Sequence, residues 1–512
     1  MTPRCLADVF LDAVDAAPEQ TALHRRIGER SLRTTYRELT CRVAAMIERL
    51  DRLGAGRVVC FLDDVFDAVH FGIASAHSGH VAVPLDPRSS RAAVLRLIER
   101  TDAVAVLTRA EHFATLGELP VPRLVCDEAE LDFAAARALL ESRKAAADSL
   151  HVIQPTSGTT GEPKLMLRTQ RPFLRMGWLW RFAHADPEGG HQRRIMVHPL
   201  THGTGVMDLW SGLAARGELC LPARPNVEAS LAEIRALDPH VMTMVPRILR
   251  ALHRQQLAAG EPADARLFGP SARVLSFGGA SCEPELQALV TAQGVEVVEV
   301  YGTSETGILV MPPPGERRAG WAGKVLDDVE IKLDVDGELL AKTPVMMEGY
   351  LGDDQQTSAA RDDDGFYRTG DYAELDDGWV KILGRKKDVF NTPTGNNIFP
   401  ARIEGMLEQL AGVHQAVLLG DARPFLTALL VLEPGANVAD IGREVRAINT
   451  RLEGEEQIRR WCVVEPALGT DLYRPVGHGK VRRERKLIEE RFADAVAALY
   501  AAHPTSAITV VD

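Results

Sequence analysis

The chain has 512 residues, 46% hydrophobic and 25% charged, with a formal net charge of −12. That length allows several hydrophobic cores and about three domains, and the acidic balance argues against a nucleic-acid partner. No apolar run approaches the roughly 18 residues of a membrane span, and seven singly scattered cysteines fit neither a disulfide scaffold nor a zinc site. A cytoplasmic protein with reduced, buried thiols is expected.

In chain order, Leu6, Val9, Phe10, Ala13 and Val14 recur at helical spacing with acids between them, which predicts an amphipathic helix and not a signal peptide. Residues 58–62 read as a buried strand. A helix carrying Val65, Phe66, Val69, Ile73 and Ala74 follows, then a strand at 81–85, a helix with Val94, Leu97 and Ile98, and a strand at 104–107. This alternation predicts right-handed crossovers and a mostly parallel sheet. After 116–147, rich in Ala, Glu and Arg, comes the apolar run His151-Val152-Ile153. Alternation resumes with strands at 195–197, 241–244, 273–277 and 296–300, a helix at 227–237 and another opened by Pro246. From Trp321 the texture changes to short strands (330–333, 338–341, 379–383) with Asp336-Gly337 and Asp377-Gly378 turns. Beyond Gly384 it is α+β: strands at 416–419 and 426–432, a helix at 445–452 and a last helix carrying Leu487 to Leu499. The predicted fold is α/β: a large N-terminal domain of βαβ lobes plus a β-rich subdomain (1–384), a hinge (385–388) and a small mobile α+β C-terminal domain (389–512).

The densest chemistry lies in Thr156-Ser157-Gly158-Thr159-Thr160-Gly161-Glu162-Pro163-Lys164, directly after the 151–153 run. Two glycines let the backbone curl, hydroxyls and N–H groups can face an anion, and Lys164 adds a point charge. The spacing is not that of a Walker loop, because the glycines stand three apart and Leu165 follows the lysine. Two further strand ends run into glycine, Phe277-Gly278-Gly279-Ala280 and Tyr301-Gly302-Thr303-Ser304-Glu305, which is where open α/β sheets place ligands.

Taken with Tyr367-Arg368-Thr369-Gly370-Asp371 and Gly384-Arg385-Lys386-Lys387-Asp388, these stretches resemble the motifs of the adenylate-forming superfamily: acyl-CoA synthetases, aryl-acid and amino-acid adenylation domains, and firefly-type luciferases. The resemblance covers nearly the whole chain, from Val83 to Lys480. It implies ATP and Mg²⁺ as cofactors, a carboxylic acid as substrate, and coenzyme A or the phosphopantetheine of a carrier protein acting in trans as acceptor. A luciferase-like oxygenase is a less favoured implication. Residues Thr156, Ser157, Gly158, Thr159, Thr160, Gly161, Gly279, Ala280, Tyr301, Gly302, Thr303, Asp371 and Arg385 match ATP- or AMP-binding positions, and Glu305 matches the Mg²⁺ ligand. By the same resemblance Lys387 is the hinge residue and Gly395 lines the thiol tunnel. Lys480, in Gly477-His478-Gly479-Lys480, is the catalytic lysine of the adenylation step, beside Lys164 and His202. The chemistry suits these types: carboxylate attack on the α-phosphorus builds negative charge that cations and fixed donors stabilise.

Two loops depart from the family pattern: Arg474-Pro475-Val476 before Lys480, and Thr392-Pro393-Thr394-Gly395 at the tunnel. His202, in Pro-x-x-His-x-x-Gly, matches the residue bordering the carboxylate pocket, which Val206, Met207, Phe277 and Gly278 would shape. Gly203 stands where amino-acid-activating domains carry an aspartate, so the resemblance disfavours an α-amino acid. A medium acyl or aryl acid is expected, acted on by a monomer or homodimer.

Overall fold

The computed structural model describes residues 4–27, 30–62, 65–125, 131–156, 163–183, 191–223, 229–278, 284–318, 320–391, 397–465, 472–475, 481–503 and 508–511. The chain forms two compact units, Met1–Glu330 with Ala341–Tyr367, and Ile331–Leu340 with Arg368–Asp512. This division lies upstream of the junction expected at 384–388. The short strands around 331–340 and 368–385 belong to one sheet, so they stay together in the second unit.

The first unit opens with α1 (Leu6–Ala16), β1 (Thr21–Ile27), β2 (Arg30–Thr35) and α2 (Tyr36–Asp51). A capping box starts α2: Thr35 accepts from the Glu38 amide while the Glu38 side chain accepts from the Thr35 amide. Then follow β3 (Arg57–Phe61), α3 (Val65–Ser78), β4 (Val81–Leu85), α4 (Arg91–Thr101), β5 (Ala103–Thr108), α5 (Phe113–Leu116), β6 (Arg123–Leu124) and α6 (Phe133–Ser142). Next come β7 (Leu150–Thr156), β8 (Lys164–Thr169), α7 (Arg171–Ala183), β9 (Arg193–Ile195), α8 (Gly203–Ala214) and β10 (Glu218–Leu221). The rest comprises α9 (Leu231–Leu237), β11 (Val241–Met244), α10 (Pro246–Ala258), β12 (Val274–Gly278), α11 (Pro284–Ala292), β13 (Glu296–Thr303), β14 (Gly307–Met311) and β15 (Gly323–Val325).

Two sheets result. One runs β8-β7-β4-β3-β5-β6, with the short strand Gly349–Tyr350 outside β8. Its pairs are parallel except β7–β8 and the pairing of Gly349–Tyr350 on β8. The other runs β15-β14-β13-β12-β11-β9-β10-β1-β2, parallel from β13 to β1 and antiparallel at both edges. One core packs α1, α2, α3 and α8 against residues of both sheets, including Val58, Val152, Leu219 and Leu221. The far face of the first sheet packs on α4 and that of the second on α9, α10 and α11. Helices thus cover both faces of each parallel region, as such sheets require.

In the second unit the sheet order is Glu330–Leu333, Glu338–Lys342, Tyr367–Asp376, Trp379–Arg385. The Asp377-Gly378 turn joins the last two with both residues at positive φ, the hairpin geometry the dipeptide predicted. A four-stranded sheet of Val413–Leu419, Leu426–Leu432, Ile458–Val463 and Thr509–Val510 packs on helices Pro400–Glu408 and Val438–Asn449 on one side and on Arg485–Arg491 and Ala493–Tyr500 on the other.

Three expected helices differ. The one predicted at 227–237 is described from Leu231, where Ser230 caps the Glu233 amide, and residues 224–228 lie outside the described residues. The one predicted at 445–452 is Val438–Asn449, because Asn437 caps it two turns earlier. The last helix is two helices, broken at Phe492 (φ −109°, ψ 33°). The stretch between α1 and β3 holds β1, β2 and α2.

Candidate active site

The predicted phosphate loop starts and ends on paired strands. Thr156 closes β7, Lys164 opens β8, and the two are register partners. Ser157, Gly158, Thr159, Thr160 and Gly161 lie outside the described residues, as do Gly279, Ala280, Gly395 and Lys480.

Lys164 holds its ammonium 4.7 Å from the centroid of the Tyr350 ring. The Tyr350 hydroxyl in turn donates to Glu305 Oε1 at 3.2 Å. Burial, with the Glu305 charge beside it, pushes the phenol above its ordinary range, so it stays a donor at neutral pH. Glu305 sits in the turn between β13 and β14, which Thr303 and Thr306 tie by mutual side-chain and amide hydrogen bonds. Gly302 is obligatory there: a Cβ would come 2.1 Å from the Gly307 carbonyl oxygen. Tyr301, near the end of β13, pairs with Val310 of β14. Thus Lys164 and Glu305, 141 positions apart, meet through one tyrosine that sequence reasoning had not singled out. Tyr350→Phe keeps the ring under Lys164 and removes the bond to a charged acceptor, worth about 1.5–3 kcal/mol. We expect kcat/KM for ATP to fall about tenfold or more with the Tm nearly unchanged; steady-state kinetics with unchanged values would remove Tyr350 from the site.

His202 is the N-cap of α8, and its side chain does not cap. Burial lowers its pKa to about 4, opposed by the charge of Asp86 and aided by that of Arg88, so the ring is neutral at pH 7. His198, 3% exposed, has both ring nitrogens unpartnered and is held at about pKa 3 by burial.

Two residues of the expected acid pocket, Phe277 and Val206, are buried in apolar cores. Phe277 is fully buried in the core of the second sheet, because alternation along β12 sends it with Leu275 toward α9 and α10. Val206 faces the other lobe with Leu209, Trp210 and Leu213, and lines an apolar cavity of about 40 Å³ between α3, α8, β4 and β7. That volume holds little more than one small group. Met207, one residue on, packs against the same core and also joins Met176, Leu179, Val300 and Ile308 in a second apolar cluster, and Gly278 abuts Val300.

In the second unit Asp371, 3% exposed, accepts from Arg385 Nε at 2.8 Å, and Arg385 Nη1 donates to the Thr369 carbonyl at 3.1 Å. Arg385, expected to reach phosphates, is here the partner of the carboxylate expected to bind ribose. Their register across the Tyr367–Asp376 and Trp379–Arg385 hairpin sets the pair. Gly370, at φ +68°, donates its amide to Glu338 Oε1 at 2.9 Å. Lys386 neutralises Glu338 and Asp336 at 2.9 and 2.5 Å, while Lys387 is exposed in the 3-10 turn Lys386–Asp388.

Residues 10–351 match the AMP-binding enzyme family, and 387–504 match the AMP-binding enzyme C-terminal domain. The chain belongs to the AMP-binding enzyme family. It is therefore a member of the adenylate-forming superfamily and an AMP-forming acid–thiol ligase. It is 25% identical to the long-chain-fatty-acid–CoA ligase FadD15 of Mycobacterium bovis, over 93% of this chain and 94% of that one. It is 27% identical to the fatty acid–[acyl-carrier-protein] ligase MmaC of Mycobacterium marinum, over 84% and 87%. Its fold is that of ATP-bound MatB from Rhodopseudomonas palustris (TM-score 0.77, 21% identity, 96% and 99% covered). The mixed α/β architecture expected from the sequence is thereby established. Among the described residues, no helix is long and apolar enough to cross a membrane.

Proposed function

We propose that this ligase activates an aliphatic or aromatic carboxylic acid, not an α-amino acid, as an acyl-adenylate with release of pyrophosphate, and passes the acyl group to the thiol of coenzyme A. The observation that carries the reading is the Lys164–Tyr350–Glu305 grouping, which sets a cation and a hard carboxylate side by side at the strand end where the phosphate loop begins. The donor set suits Mg²⁺, which takes one or two protein carboxylates beside substrate phosphates. When bound, that ion would neutralise charge on the leaving pyrophosphate. Thr156 to Gly161, Gly279, Ala280 and Tyr301 to Thr303 then hold ATP, Asp371 accepts from its ribose and Arg385 turns to its phosphates. His202 and Met207 border the acid. Between the half-reactions residues 389–512 turn about 385–388 with Lys387 as hinge, exchanging Lys480 for the Gly395 loop beside the thiol. The likeness to MmaC supports a second acceptor, the phosphopantetheinyl arm of a separate carrier protein. Cysteines that are free where described suit a reducing, cytoplasmic setting, in which the enzyme would act as a monomer or homodimer.

ATP–pyrophosphate exchange across a panel of carboxylic acids tests the first step, and product assays with coenzyme A and with loaded carriers test the second. We expect exchange with aliphatic or aromatic acids and not with amino acids. Silence with every acid, in protein that binds ATP, sinks the reading.

A further inference from the structure

Among the described residues, Arg168 is a buried charged side chain for which no hydrogen bond or ion pair is made. It lies on β8, on the same face as Lys164 and Met166 and opposite Val152 of β7. Only 3% of it is exposed, and its buried Nε has no hydrogen-bond partner among the described residues. Among the described residues it stacks on the face of Phe173, 4.7 Å from the guanidinium carbon, and it lies in the field of Glu305 and beside the neutral ring of His151. Burial lowers its pKa only to about 10, with Glu305 opposing the shift, so the group is cationic at neutral pH. A guanidinium offers five N–H donors in a planar fork, and burying it unpaired is costly unless something completes it.

The structure shows where the fork aims. A Cβ built on Gly203 would lie 3.2 Å from Arg168 Nη1 and 3.5 Å from Gln154 Oε1. Gly203 is the first residue of α8, a 12-residue helix whose N-cap supplies no side-chain hydrogen bond. Gln154, 1% exposed, gives its Nε2 only a long 3.4 Å bond to the Thr201 carbonyl. A cation, an amide and the electropositive end of a helix thus converge on a residue with no side chain, where a Cβ would crowd both polar groups.

We propose that Arg168, Gln154 and the first turn of α8 form a subsite for a second carboxylate on the acid substrate, so that the preferred acid is a dicarboxylic acid. The inference rests on the ligase reading above and names its substrate class. A carboxylate matches the guanidinium fork in a bidentate pair. The reacting carboxylate does not suit this place, because it loses its charge on becoming an acyl phosphate and would leave Arg168 unpaired at that moment. A fixed cation there stabilises the ground state more than the transition state. The ATP phosphates do not suit it either: Arg168 is four residues along the strand from Lys164, about 13 Å at strand rise. A distal carboxylate keeps its charge through both half-reactions.

The test compares straight-chain monocarboxylates with α,ω-dicarboxylates of equal length in ATP–pyrophosphate exchange, for the wild type, Arg168→Met and Gly203→Ala. We expect kcat/KM to favour the diacid at least tenfold at one or more lengths in the wild type. In Arg168→Met that preference should vanish or reverse, and in Gly203→Ala it should weaken, because the new methyl crowds Nη1. A wild type indifferent to the second carboxylate, or a variant that keeps the preference, overturns the proposal while leaving the ligase reading intact. Should Arg168→Met not fold, Gly203→Ala decides. Should no acid support exchange, the ligase reading fails and thermal shift decides the subsite. A diacid must then raise the Tm of the wild type and not of the variant, with the monoacid and inorganic phosphate as controls; equal shifts in both proteins overturn it.

Discussion

Lys480→Ala loses ATP–pyrophosphate exchange by about 10²- to 10³-fold and still makes thioester from preformed acyl-adenylate. The first half-reaction brings two anions together, and a cation aimed at the charge that develops between them is worth about 2.7–4 kcal/mol. In the second half-reaction a thiol attacks an acyl carbon and AMP departs, so a lysine that serves only the first step drops out of the rate. The split between half-reactions is therefore more diagnostic than overall loss, which any destabilising change could cause. Near-UV circular dichroism checks that the variant is folded. If exchange survives within tenfold of the wild type, the adenylation lysine lies elsewhere in the basic run that follows, Lys480 to Lys486.

Below about pH 5 the N-terminal unit unfolds, driven by histidines. Five of them, His70, His77, His151, His198 and His202, are held neutral by burial, with pKa values of about 3, 4, 3, 3 and 4. Neighbouring cations push the same way: Arg42 beside His70, Lys144 beside His77, Arg168 beside His151. In the unfolded chain each takes up a proton near pH 6.5. Above that pH neither state is protonated and the groups cost nothing. Between about pH 6.5 and 4 the unfolded state binds more protons, so stability falls as pH falls, by about 1.4 kcal/mol per pH unit for each ring. Five together approach about 7 kcal/mol per unit, against a total stability of about 5–15 kcal/mol. We expect the near-UV signal of the unit to be lost with a midpoint between about pH 4.5 and 5.5, accompanied by uptake of several protons. Retention of native signal at pH 4 without proton uptake would contradict the assignment. His70→Phe, replacing a ring whose two nitrogens have no partner, should move the midpoint to lower pH.

Much of this architecture is written in short, local patterns. The parallel strands at 58–62, 81–85 and 104–107 are apolar along their whole length, because both faces are covered, and so they announce themselves. The Asp377-Gly378 turn follows from the positive φ that both residues tolerate. Capping signals were legible but outweighed by periodicity. Thr35 with Glu38, and Asn437, mark helix starts that an apolar-spacing argument passes over. The stretch 21–35 escaped because β2 is the edge strand of its sheet and β1 its only neighbour there, and polar residues break the strand pattern in both.

The site divides along the same line. Its motifs are legible because phosphate binding, metal binding and adenylation each demand particular residue types within a few positions, on turns after strands. Thr156 to Lys164, Tyr301 to Glu305 and Tyr367 to Asp371 therefore fix the family, and with it the reaction class, from the sequence by itself. What sequence spacing could not decide is direction across the sheets. Phe277 and Val206 had the right neighbours for an acid pocket, yet one residue of strand alternation and the helical phase of α8 send both into cores. Arg168 has an unremarkable place between Leu167 and Thr169. Only the pairing of β7 with β8, and the start of α8 at a glycine beside it, turn that arginine into a buried cation at the first turn of a helix. Tyr350 is likewise one more aromatic until a two-residue strand sets it on β8, between Lys164 and Glu305. Residue types close in sequence determined what chemistry the chain performs. Register and packing between distant strands decided which side chains face one another, because that arrangement exists only once both sheets are built.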